Sequence, residues 1–325
     1  MSIKVELPGG YGHTDEELAF IREMGVHYLN LNVMPDHANP EDMKREAERL
    51  ARYDIAISDF ACPPLQKNAD IILGRPGRDA QIEAFNDFIR LAAAIGAPIV
   101  SVAWQPNGIL RTARGVGKYT RGGVAFLADL AEIEARPILN DRVYESEEIW
   151  ENFRYFLERT IPVAEENHIC MALHPNDPPI PSLGGVASLI ASTADYRRAL
   201  EMAHNSPALG MKMCVGCWLE NPAFGDLFAD IEEFTKSGQL VEVHFRNVSA
   251  PLPVFEEVLA EDGYADMQAI MQQFVKSGFD GYMSVDHGFA GYPSMGEGLG
   301  SMAYSTGYMK ALIHAAEKRK EMGMV

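Results

Sequence analysis

Four short segments each end an apolar, strand-like run with a good metal ligand: ALHPNDPP at His174, KMCVGC at Cys214, VEVHFRNV at His244 and MSVDHG at Asp286. Two imidazoles, a thiolate and a carboxylate from four strand ends can ligate one divalent cation. The thiolate makes such a site softer than an all-oxygen magnesium centre, so manganese, iron(II) or zinc is expected. Strand side chains alternate in and out. An inward Cys214 therefore brings Lys212 inward, an inward His244 brings Glu242 and Arg246, and an inward Asp286 brings Ser284. Each residue also has a plainer reading. A strand histidine is commonly a hydrogen-bonded core residue, a buried cysteine behaves as a small hydrophobe, and Asp286 can cap a turn before Gly288. All four stand at or near the last residue of a strand, and that coincidence favours one shared centre. A closed structural zinc site would use the same donors, but such sites usually gather them from nearby turns. Cys217, the second cysteine of CVGC, has no matching CxxC elsewhere and reads as packing beside Trp218. Lys212 and Glu242 sit at matching depth on adjacent strands, as a buried ion pair or with Lys212 as a substrate contact.

The elements that must position these groups alternate eight times. Strand candidates are Ile3–Leu7, His27–Val33, Ile55–Ala61, Pro98–Trp104, Ile169–His174, Leu209–Val215, Leu240–Asn247 and Gly281–Asp286. They are short and rich in Val and Ile, as buried parallel strands are. Amphipathic stretches lie between them. TDEELAFIREMG has a capping-box spacing at Thr14 and Glu17. NPEDMKREAERLARY has a cap at Asn39 with Pro40 in the first turn. Eight βα units predict an α/β fold, a single (β/α)8 barrel spanning 1–325 as one catalytic domain. A doubly wound sheet is the competing architecture. Long connections follow strands three, four and seven: Pro63–Gly77, Gln105–Glu145 and Val248–Tyr264. They lie at the barrel end where active sites form, as lids or substrate walls.

The bulk composition narrows the function classes. With 28 Lys and Arg against 46 Asp and Glu, the net charge is −18, which argues against nucleic acid or an anionic membrane as partner. No apolar run approaches the roughly 20 residues of a membrane span. MSIKVELPGG lacks a basic segment followed by an apolar stretch, so no signal peptide is expected. Four cysteines are too few for a disulfide framework in a chain this long, and a reduced cytoplasmic setting is expected.

Several segments resemble the mannonate dehydratase family, metal-dependent lyases of the xylose-isomerase-like barrel superfamily. LGRPGRDAQIEAFNDFIRLAAAIGAPIV resembles the family's segment before strand four. SEEIWENFRYFLERTIPVAEENHICMALHPNDPP is similar to the run that ends in HPDDPP, HFRNV to HLRNV, and VDHG to PDHG. The resemblance implies metal ligation by His174, Cys214, His244 and Asp286, with Mn2+ expected ahead of Fe2+ or Zn2+. It implies an acid/base role for His287, a catalytic Tyr292 and a substrate-side Arg246. Related barrels often self-associate, so a homo-oligomer is a further expectation. The chain departs from the pattern at Asn176, which replaces the first Asp of HPDDPP, and at Ser284, where the family has arginine. The loop between His287 and Tyr292 is also much shorter, and VELPGGYG replaces an RWYG-like segment.

These residues suit β-elimination of water from a small sugar acid, D-mannonate or an analogue, to a 2-keto-3-deoxy acid. A base removes the proton α to the carboxylate, and the next hydroxyl leaves with acid assistance. A divalent metal stabilises the enediolate that develops. Histidine suits the proton transfers because its pKa lies near neutrality, and Arg246 would clamp the carboxylate in a bidentate pair. Lys212, Arg75, Trp104 and Asn176 are the expected substrate contacts. Arg78 and Arg111 are weaker candidates; His13 is read as a surface residue and His314 as irrelevant. An isomerase or epimerase would use the same enediolate and return the proton. A binding-only barrel is a third reading, which His287 beside Asp286 argues against.

Overall fold

The computed structural model describes residues 3–286 and 299–324. Eight parallel strands form a closed barrel: β1 (Lys4–Gly10), β2 (Tyr28–Asn32), β3 (Ala56–Ala61), β4 (Ile99–Ala103), β5 (Cys170–His174), β6 (Leu209–Cys214), β7 (Leu240–His244) and β8 (Tyr282–Ser284). Each pairs with its sequence neighbours, and β8 closes on β1 through Lys4 against Tyr282. Among the described residues, eight longer helices follow the strands in turn, from Asp15–Glu23 to Leu299–Glu321. The predicted caps form. Thr14 and Glu17 make a reciprocal capping box, and Asn39 accepts from the Asp42 amide with Pro40 in the first turn. Each satisfies amides that the helix itself leaves unpaired. Among the described residues no helix is long and apolar enough to cross a membrane.

Alternation divides the strand residues into two environments. Val100, Val102, Met171, Leu173, Met211, Met213, Val243 and Met283 are buried in one continuous apolar core. The alternate positions carry Glu6, Asn30, Asp59, Ser101, Lys212 and Glu242, all buried and polar. Barrel interiors are usually filled with branched apolar side chains, so this polar layer must satisfy itself by pairing. Two register shifts help align it. One lies between Leu29 and Asn30 and pairs Asn30 with Asp59. The other lies between Met211 and Lys212 and sets Lys212 opposite Glu242 and Cys214 opposite His244. Such bulges re-aim side chains beside active sites.

The connections after β4 and β7 are more than loops. Ala113–Val116, Val124–Asp129, Val254–Val258 and Asn247–Val248 form one four-stranded antiparallel sheet at the barrel mouth. Its pairing of Val254–Glu256 with Leu127–Asp129 joins segments far apart in the chain. The connection after β3 carries two short helices, Pro63–Gln66 and Ala69–Ile72.

Candidate metal centre and active site

The C-terminal ends of β5, β6 and β7 bring three donors together. One atom from each of His174, Cys214 and His244 lies within 4.8 Å of the other two. The His174 Nδ1 is 2.7 Å from the Pro175 carbonyl. That oxygen can only accept, so Nδ1 carries the proton and Nε2 keeps its lone pair. On His244, Nε2 faces Glu242 Oε1 at 3.7 Å. Its Nδ1 has no hydrogen-bond partner but lies 3.2 Å from Asp286 Oδ1. Two donors on one cation with bonds of roughly 2 Å stand about 3 Å apart, so this separation suits co-ligands. Asp286 Oδ2 is 4.0 Å from the Cys214 sulfur. Asp286 has a positive φ of 62°. An aspartate tolerates this left-handed backbone better than most residues, and the turn directs its carboxylate to the cluster.

The surroundings favour a thiolate. Burial alone would push the Cys214 thiol up, but the neighbouring Cys217 thiol, the Arg246 guanidinium and the two imidazoles bring it well below its ordinary value. Cys217, read as packing beside Trp218, is buried with its sulfur 3.9 Å from Arg246 Nη2. Burial works against protonation of His244, yet the Asp286 carboxylate holds its pKa well above the usual imidazole range.

Arg246 lies behind this cluster. It contacts Glu220 Oε1 at 2.8 Å, Asp177 Oδ2 at 3.0 Å and Asp286 Oδ2 at 3.1 Å, with its side chain 2 % exposed. Arg111 shares two of these partners, reaching Asp177 at 2.6 Å, Glu220 at 3.2 Å and Glu257 at 2.7 Å. Gly216 permits this packing, because a Cβ there would collide with the Arg246 guanidinium. Arg246, expected on the substrate, is buried among these carboxylates and contacts Asp286 Oδ2.

A cavity of about 250 Å³ opens above the donors. His174, His244, Asp286, Lys212, Asn30, Asn32, Gln105, Gln66 and Lys67 are among the residues lining it. Its volume suits a small molecule. Lys212 reaches it but has no N–H to spare: Nζ contacts Asp59 at 2.5 Å, Ser101 at 2.7 Å and Glu242 at 2.8 Å. An ammonium has three donors, so of the two readings this geometry favours the buried ion pair. Burial works against Glu242 ionising, but Lys212 and then His244 hold it down at about 2. Burial first, and then the charge of Glu242, push Glu6 well above the usual carboxylate range.

Three expected substrate contacts lie elsewhere. Trp104 has the outward parity of Val100 and Val102, and its ring packs 4.9 Å from Phe153 and 5.3 Å from Phe156. Asn176 is buried, donating to the Trp104 carbonyl at 3.3 Å and accepting from the Ile190 amide at 2.9 Å. Arg75 reaches Asn140 at 3.0 Å and Asp141 at 3.1 Å, tying two loops together. Arg78 stacks on Tyr155 with its guanidinium carbon 3.4 Å from the ring centroid. His13 contacts Glu17 at 3.2 Å. His314 lines a cleft with Ile3, Lys4 and Lys310, at the opposite end of the barrel. His287 and Tyr292 lie outside the described residues. Lys67 escaped the sequence reading, because it sits on an aperiodic connection.

A sequence profile of the D-mannonate dehydratase (UxuA) family matches residues 130–323. Mannonate dehydratase of Shouchella clausii is 30% identical over 286 residues, covering 76% of each chain. That of Streptococcus suis strain 05ZYH33 is 29% identical over 301 residues, covering 78% of each. The crystal structure of mannonate dehydratase from Streptococcus suis serotype 2 superposes with a TM-score of 0.85 at 23% identity, covering 98% of this chain and 96% of that one. A structure of L-ribulose 3-epimerase gives 0.60 at 14% identity, covering 99% and 98%. At these identities the two structural likenesses are of fold alone. The profile and the curated relatives settle the family: this chain belongs to the mannonate dehydratases, hydro-lyases acting on sugar acids.

Proposed function

We infer that the protein dehydrates D-mannonate or a close analogue to a 2-keto-3-deoxy acid, with a divalent metal held by His174, Cys214, His244 and Asp286. The observation that carries this reading is the convergence of two imidazole nitrogens and a thiolate within 4.8 Å at three strand ends. Asp286 lies at their edge and faces the orphaned Nδ1 of His244. When bound, the metal supplies a Lewis acid for the negative charge that develops on the substrate's carboxylate side.

The protein's own groups do the rest. Pro175 and Glu242 fix the two imidazoles, as outer partners of metal-binding histidines commonly do. Arg246 holds Asp286. A base takes the C2 proton and an enediolate forms. The C3–O bond then breaks, and its hydroxyl leaves as water with a proton from an acid. The resulting enol tautomerises to the 2-keto acid, so the net loss is one water. The resemblance to the family supports His287 as the base and Tyr292 as the acid.

The test is incubation of the Mn2+-loaded protein with a panel of aldonic acids and ketoses in D2O. A 2-keto-3-deoxy product from one aldonate is expected. Deuterium incorporation into an altered sugar that has lost no water would replace dehydration by isomerisation.

The Arg246 assignment carries its own prediction. Arg246→Lys keeps the charge but not the planar fork that meets three carboxylates. Metal affinity, measured by chelator competition, is expected to fall roughly 10- to 100-fold, as for loss of an outer partner. The KM for aldonate at saturating metal should change little. A large KM increase with unchanged metal affinity would restore the clamp.

A further inference from the structure

We propose that Lys67 is the anchor for the substrate's carboxylate. The inference rests on the sugar-acid reading above and adds the residue that recognises the acid. Among the described residues, three Lys and Arg side chains stand in or near the cavity wall, Lys67, Lys212 and Arg246, and two are already committed. Lys212 is saturated by Asp59, Glu242 and Ser101. Arg246 is enclosed by Asp177, Glu220 and Asp286. Lys67 lines the same cavity as His174, His244 and Asp286, and among the described residues its ammonium has no ion-pair or hydrogen-bond partner.

The local chain is built to hold this side chain in place. Pro63 and Pro64 open the short helix Pro63–Gln66 directly after β3, and Lys67 is its C-terminal cap, with its amide bonded to the Pro63 carbonyl at 3.2 Å. The next residue, Asn68, caps the following helix through the Asp70 and Ile71 amides and donates to Gln81 at 3.0 Å. Two braced turns therefore present one lysine to the cavity, and pre-organisation of this kind reduces the entropy lost on binding. Burial pulls the ammonium below its ordinary value, with Asp177 and Asp286 acting in the other direction. An incoming carboxylate would give this half-buried cation the direct charge-assisted hydrogen bond it lacks. A sugar acid differs from a neutral sugar by this one charge, so the residue that meets it sets acid specificity.

The test uses the full-length, Mn2+-loaded protein and the variants Lys67→Met and Lys67→Arg, assayed with D-mannonate at low and high salt. Lys67→Met is expected to raise KM roughly 10- to 100-fold, the loss of one charge-assisted hydrogen bond, with kcat within about threefold. Lys67→Arg should recover part of the loss. KM of the wild type and of Lys67→Arg should rise with ionic strength, and that dependence should flatten in Lys67→Met. Thermal unfolding midpoints establish that all three fold. An unchanged KM in Lys67→Met, or a fall in kcat alone, would overturn the anchor while leaving dehydration intact. A folded wild type that dehydrates no aldonate would overturn the sugar-acid reading itself.

Discussion

Cys214→Ala and His244→Ala are each expected to deplete the protein of metal and to stop dehydration. Cys214 is buried and His244 half-buried at the mouth of the barrel, where the strand register sets one directly opposite the other. Removing either leaves at most three donors and withdraws one of the two groups that stand beside Asp286. Outer partners alone change metal affinity by about 10- to 100-fold, so loss of a direct ligand should exceed about 100-fold. Elemental analysis after dialysis should fall from about one equivalent to a small fraction of it, as expected for a single site. Turnover at micromolar metal should fall in parallel, and excess Mn2+ should restore part of it. Cys214→Ser should lie between the wild type and alanine, because a hydroxyl is a harder and weaker donor than a thiolate. Unchanged metal content in both alanine variants would remove the four-ligand centre.

These four proposed ligands stand out in the sequence because three independent regularities coincide on them. His174, Cys214 and His244 end their strands and Asp286 follows β8 by two residues, all four share the inward parity, and parallel strands of one barrel bring their C-terminal ends to one mouth. The same regularities account for the barrel, since a period of two followed by a helical period, repeated eight times, leaves few other folds. The small sheet over the mouth was not legible. Ala113–Val116 and Asn247–Val248 are too short to show a period, and the pairing of Val254 with Asp129 is set only once the barrel has brought the two connections together.

The departures within the site have a common cause. Trp104 stands beside a strand end, yet counting from Ser101 gives it the outward parity. Asn176 follows His174 too closely to reach the cavity and bonds backbone on either side instead. Arg246 reads in the sequence as a cation for the substrate. Its surroundings are Asp177, Glu220 and Asp286, from three separate segments, and no local pattern announces such a set. Lys67 is the converse case: an ordinary lysine on a loop, made distinctive by the cavity and by the commitment of its neighbours. Local pattern locates groups that strands carry, whereas the state of a charge depends on what the fold packs around it.

Lys212→Met is expected to act on stability before it acts on binding. The lysine bridges Asp59 and Glu242 at 2.5 and 2.8 Å. Asn30 donates to both carboxylates, at 2.9 and 3.1 Å, but brings no charge. Breaking a buried pair by removing one partner costs about 3–5 kcal/mol, because the other charge stays buried. At about 2 °C per kcal/mol for a large chain, the unfolding midpoint should fall on the order of 10 °C. The pH dependence has a definite sign. Burial already pushes the Asp59 carboxyl up to about 6, with Lys212 pulling against it. Removing Lys212 raises it further. A carboxyl raised in the folded state contributes stability that is present below its unfolded pKa and lost as pH rises through the folded value. The deficit of Lys212→Met relative to wild type should therefore be smaller near about pH 5 than near about pH 8. Adding Asp59→Asn and Glu242→Gln to Lys212→Met should recover most of the midpoint, since neutral groups need no counter-charge. If Lys212 instead held the substrate, Lys212→Met would raise KM at an unchanged midpoint, and the two added substitutions would restore nothing.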